Sequence, residues 1–179
     1  MRSIKAKMRS LLAEVETKYD FSQFTMESFR SWIEQQRGKE LNFVPWAMPP
    51  SMSGAWLSSD KSEYIFYEKN TPTIHQGHIQ LHELAHILCG HPTIKVGAEK
   101  ITMLFRQVID GCVDQEDQSL LLRSAQSGEA EIEAEVLASF IQNKVIQNGR
   151  FQELLRKITE EGDSVDFLTT YIKTLEKHS

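Results

Sequence analysis

The segment LHELAHIL, residues 81–88, constrains the fold of this chain more than any other. Wound as an α-helix, at about 100° per residue, it spreads Leu81, Leu84, Ala85, Ile87 and Leu88 around most of its circumference. A helix that is apolar nearly all round is a buried helix. His82, Glu83 and His86 fill the sector that is left. With His82 at 0°, His86 lies at about 40° one turn on, and Glu83 at about 100°. Buried imidazoles and carboxylates are costly unless they are paired or bound to a metal. Any fold that buries this helix must therefore gather partners for that sector. Two imidazoles four residues apart can meet one ion, and the Glu beside them can reach a water on it without displacing either.

A catalytic zinc takes three protein ligands and leaves one position open. His91 is the nearest candidate for the third, but its register is unsuitable. The extended motif HExxHxxGxxH needs Gly seven and His ten residues after the first His, whereas Gly90 and His91 stand eight and nine after His82. The pair reads as a helix C-cap and its exit. Cys89, on the His82 side of the helix but two turns along, is a weaker candidate for a fourth ligand of a structural site.

A carboxylate from another helix is the alternative, and GEAEIEAEVLASFIQNKVI (128–146) offers four. With Glu133 at 0°, Val136, Phe140, Leu137 and Ile141 fall between about −60° and 80°. Glu133 is then the acidic residue in the middle of the apolar stripe. Glu131 and Glu135, near 160° and −160°, take the opposite, solvated face. Glu129 shares the core side a turn earlier and is held in reserve. A carboxylate aimed into a core calls for a partner, so Glu133 is the expected third ligand beside His82 and His86, with Glu83 as the base.

The surrounding chain reads as an α+β domain, mostly helical, with a small sheet of about three strands. Amphipathic helices are expected over 1–18 and 25–37, the second capped by Thr25 and ended by Gly38. KELNFVPW, GAWLSS and SEYIFYEK are strand candidates, the last two joined by a tight turn at DKS. The motif helix spans about 74–89. Residues 93–128 carry a helix signal over 101–108 and then a polar stretch. A strong helix covers 128–147, and shorter ones 150–160 and 164–177. The whole of 1–179 is read as one domain: N-terminal helices to 37, a core with the site over 38–147, and C-terminal helices over 148–179.

Composition narrows the function. With 179 residues, a net charge of −5 and 25% charged residues, the chain gives no reason to expect nucleic-acid binding. It has no apolar run of membrane-spanning length and lacks the apolar core and cleavage site of a secretory signal. Its two cysteines, Cys89 and Cys112, make no disulfide framework. A cytoplasmic location is expected.

HELAHILCGH, EAEIEAEVLASFI and the preceding GAWLSSDKSEYIFYEKNTP together resemble the ImmA/IrrE family of metallopeptidases over roughly residues 38–141. The resemblance implies a gluzincin-like core, with the sheet beside the HExxH helix and the third ligand on a later helix. It implies zinc on His82, His86 and Glu133, with Glu83 as base. It also implies a cytoplasmic peptidase that cleaves a protein substrate, typically a helix-turn-helix repressor or an antitoxin encoded nearby. A non-hydrolytic regulatory module retaining the zinc-bound fold is the alternative, against which the intact Glu83 speaks. The chain departs from the family pattern at Glu135, where Asn or Asp is usual, at Leu137 in place of Phe, and at Gly77-His78. Tyr64, Tyr67, His75 and His78 are candidate oxyanion donors. An edge position for the strand at 63–69 would let it pair with an extended substrate.

Overall fold

The computed structural model describes residues 3–124 and 128–161. The expected helix at 164–177 lies outside them. The fold is α+β and mostly helical, with a four-stranded mixed sheet. Among the described residues no helix is long and apolar enough to cross a membrane.

The N-terminal helices form as their caps dictate. Ser3 caps α1 (Ile4–Glu16) by accepting from the Ala6 N–H. Thr25 caps α2 (Met26–Arg37) in a reciprocal box with Ser28, two bonds of 3.0 and 3.1 Å. Such a box satisfies two otherwise orphaned amides.

Three strands fall where their aromatic and other apolar residues put them: β1 (Glu40–Trp46), β2 (Gly54–Ser58) and β3 (Ser62–Glu68). A two-residue strand, β4 (Ile94–Lys95), is added at the far side. The spatial order is β1-β3-β2-β4, with β2 antiparallel to β3 and the other two pairings parallel. Pro45 sits in β1, at the sheet edge, where a missing N–H is tolerated. Since β3 lies between β1 and β2, it offers no free edge, and the expected substrate pairing at 63–69 is excluded.

Both faces of the sheet are covered, which is why β2 is buried almost throughout. On one face, Leu41, Trp56 and Ile65 pack with Leu81, Leu84 and Ala85 of α3 (Thr73–Cys89), and with Ala134, Leu137, Ala138 and Ile141 of α6 (Glu129–Glu161). On the other, Ala55, Leu57 and Phe66 pack with Ile101 and Leu104 of α4 (Ala98–Asp110) and Leu121 of α5 (Gln115–Ser124). The unsettled stretch 93–128 thus supplies the second cover of the sheet. Half of its polar segment is helical because Asp114 caps α5, accepting from the Asp117 N–H at 2.8 Å. Helix α6 runs unbroken through Gly149, where the sequence suggests a break.

Among the ionisable side chains buried in this fold, Glu63 is tied to the sheet and to α2. Glu63, 1% exposed, accepts from the Trp56 indole N–H at 2.7 Å and from Arg37 at 3.0 Å. Glu63→Ala is expected to destabilise the protein by about 1–3 kcal/mol, the cost of an unmatched buried N–H. The larger cost of a stranded buried cation does not apply, because the Arg37 side chain is 38% exposed and can rehydrate. The shift of the urea midpoint measures it.

Candidate metal centre

A cleft of about 450 Å³ opens between α3, α6 and the chain entering β2. His75, His78, His82, Glu83 and His86 line it from α3, Glu131 and Glu135 from α6, and Ser51–Gly54 with Trp56 from the sheet side. Of the four candidate oxyanion donors, His75 and His78 lie here. Tyr64 instead packs edge-on against Phe105 on the opposite face of the sheet, and Tyr67 is not among the lining residues.

His82 and His86 turn their Nε2 atoms toward one another, 3.1 Å apart. The Glu131 carboxylate closes the triangle, with Oε2 at 3.1 Å from His82 Nε2 and Oε1 at 3.3 Å from His86 Nε2. An ion held at 2.0–2.1 Å by tetrahedral nitrogen and oxygen donors separates those donors by about 3.3 Å. The two imidazole nitrogens are therefore spaced like one edge of such a shell, and each meets one oxygen of the Glu131 carboxylate at a comparable distance. Burial, then His82 and His91, push the His86 pKa down to about 3, so its imidazole stays neutral, the form that ligates metal.

Glu133, the expected third ligand, is not brought to this triangle. It is indeed the buried carboxylate of the cluster, with 5% of its side chain exposed against 38% for Glu131. Its oxygens, however, accept from Lys7 Nζ at 2.5 Å and meet His91 Nε2 at 3.2 Å. The reason is a rotation of the buried stripe. Ala134 and Ala138 are fully buried along with Leu137 and Ile141, so the stripe is centred about 90° away from Glu133. Glu133 then sits on one flank, facing α1, while Glu131 and Glu135 sit on the other, facing the cleft. The alanines were the available signal: small residues in the seam let α3 and α6 approach closely and bring the flanking glutamates within reach of the histidines.

Each histidine nitrogen turned away from the triangle has its own partner. His82 Nδ1 lies 3.2 Å from Glu135 Oε2, which also meets His78 Nε2 at 3.3 Å. His86 Nδ1 lies 2.8 Å from His91 Nδ1. A second donor group, Cys89, His91 and Glu133, lies deeper, but it is poorly suited to an ion. The Lys7 ammonium sits on Glu133, and Cys89 turns its Sγ to Met8 Sδ at 3.8 Å. Burial and then Glu133 push that thiol up to about 11, which keeps it protonated. Cys89 does not line the cleft.

Glu83 is 8% exposed, and no hydrogen bond reaches its carboxylate among the described residues. Burial, reinforced by Glu131, pushes its pKa up to about 8. Its position depends on Gly54: a Cβ there would stand 2.5 Å from Glu83 Oε1 and 2.8 Å from Ile79 Cγ2. Gly54→Ala is therefore expected to cost about 1–3 kcal/mol through overpacking and to displace Glu83. Thermal melts read the first effect, and the Glu83 carboxyl shift in a ¹³C spectrum reads the second.

Compared with protein-family models, curated proteins and solved structures, the chain matches none.

Proposed function

We propose that this protein is a zinc-dependent endopeptidase in which His82, His86 and Glu131 hold the ion and Glu83 is the general base. The observation that carries the reading is the convergence of three donor groups, two imidazoles and a carboxylate, with contacts of 3.1–3.3 Å beside a desolvated carboxylate. A zinc ion held there would lower the pKa of a water toward neutrality and polarise a substrate carbonyl. Glu83 does the proton work: it accepts a proton from the attacking water and delivers it to the departing amine nitrogen. A base with a pKa near the working pH is suited to both transfers. Glu135 orients His82 through Nδ1, and Glu83, packed close to Gly54, faces the cleft from a largely buried position.

An extended peptide has room along the mouth of the cleft. Strand β2 pairs with β4 only at Leu57 and Ser58, so the side of Gly54–Trp56 toward the cleft has no strand partner among the described residues. His75 is the remaining candidate for stabilising the oxyanion, since His78 has both ring nitrogens engaged, with Gln142 and Glu135. Following the family resemblance, the substrate is a helix-turn-helix repressor or an antitoxin encoded beside this protein. Cys89 and Cys112 are both free, which suits a reducing cytoplasm.

The test is incubation of the zinc-loaded protein with that neighbouring protein, with and without a chelator. One cut, lost on chelation, is the expected result. A stable complex with no cut would instead favour a non-hydrolytic regulatory module.

A further inference from the structure

We infer that His91 and Glu133 are positioning residues for the metal centre: a carboxylate–imidazole relay that fixes the ring of His86 and aims its Nε2 at the ion. The inference rests on the metal reading above for its function, but the relay itself is drawn from the positions of four side chains.

The local backbone sets it up. Gly90 ends α3 with φ of 70°, in the left-handed region, and the chain folds back so that the His91 N–H donates to the His86 carbonyl at 3.0 Å. This turn lays the two imidazoles together, with centroids 5.0 Å apart and planes at 64°. His91 is therefore more than a helix exit. Its Nδ1 faces His86 Nδ1 at 2.8 Å, and its Nε2 faces Glu133 Oε2 at 3.2 Å.

Only one arrangement of protons serves all of these contacts and leaves His86 Nε2 as a lone-pair donor. His86 carries its proton on Nδ1 and donates to His91 Nδ1; His91 carries its own on Nε2 and donates to Glu133. Glu133 serves as the acceptor at the end of the chain, because the Lys7 ammonium donates to its Oε1 at 2.5 Å and pairs with its charge. The chain of bonds thus runs one way, from His86 to a fixed anion. Partners of this kind set the tautomer and orientation of ligating imidazoles and raise their basicity. The arrangement also explains why a carboxylate is buried at 133 with no place in the donor triangle.

Two variants and two readouts test it. His91→Phe keeps an aromatic ring against His86 and removes both nitrogens. Glu133→Gln keeps an acceptor for His91 and removes the charge. Long-range ¹H–¹⁵N imidazole spectra of the metal-free protein are expected to show His86 protonated at Nδ1 and His91 at Nε2, with His86 released into mixed tautomers in His91→Phe. Zinc affinity, by competition with a chromophoric chelator, is expected to fall about 10–100-fold in His91→Phe and less in Glu133→Gln. A wild-type His86 protonated at Nε2, or zinc affinity in a folded His91→Phe within threefold of wild type, overturns the relay. Should His91→Phe not fold, the wild-type tautomers and the Glu133→Gln affinity decide. Wild-type protein that shows both tautomers yet binds no zinc overturns the metal reading and leaves the relay standing.

Discussion

Glu83→Gln is expected to lower peptide cleavage by about 10²–10⁴-fold, the usual contribution of a positioned general base, while zinc stays bound. The amide has nearly the same shape as the carboxyl, so Gly54 and Ile79 still accommodate it, but it cannot accept the proton of the attacking water. Single-turnover cleavage and metal content, measured on one preparation, check both halves. Retained cleavage would remove Glu83 from the proposed mechanism.

The same variant carries a stability signature in the metal-free protein. Glu83 has its folded-state pKa raised from 4.5 to about 8. Between those values the folded state binds the extra proton, so this contribution is full below pH 4.5 and is lost as pH rises toward 8. The loss is at most about 5 kcal/mol. His86 works in the opposite direction. Its pKa is depressed from 6.5 to about 3, so its contribution is full above pH 6.5 and is lost as pH falls toward 3. From these two groups, stability should peak between pH 4.5 and 6.5. In Glu83→Gln the alkaline decline should flatten while the acid decline stays. Urea midpoints across pH 3–9, with chelator present, measure it.

Glu131→Ala is expected to weaken zinc binding on the order of a hundred- to thousand-fold, as the loss of one ligand's share of a metal site implies. Glu133→Ala should weaken it less, by the roughly 10–100-fold typical of a residue that orients a ligand. Competition titrations on the two variants rank them directly. The reverse order would restore Glu133 as the third ligand. The comparison is informative because both residues are glutamates on one helix, two positions apart, and both sit near histidines.

Much of the fold was legible in local chemistry. Thr25, Gly38 and Gly90 mark helix ends by side-chain or backbone properties that act within a few residues. The aromatic residues of 40–68, and the Pro, Gly, Ser and Asp residues that break the segments between them, mark the strands for the same reason. What local pattern could not supply was the order of the strands. Whether β3 is central or at an edge depends on β1 crossing to pair beside it, a contact that leaves no trace in either segment. The cover formed by α4 and α5 was also obscured, because a helix that buries one narrow stripe, such as Ile101 and Leu104, can otherwise be richly polar.

The site divides along the same line. His82, Glu83 and His86 sit within one and a half turns of one helix, so their common face follows from helix geometry alone. The sequence by itself determined those two imidazoles, the glutamate beside them, and the presence of a buried carboxylate at Glu133 of α6. Which glutamate meets the imidazoles was decided by the tertiary structure. The small side chains of Ala134 and Ala138 set the rotation of α6 against α3, and that rotation turned Glu131 and Glu135 to the cleft and Glu133 to Lys7 and His91. A helical wheel tells which residues share a side. Only the packing partner tells what each side faces, and a metal centre open to substrate must face a cleft rather than a core.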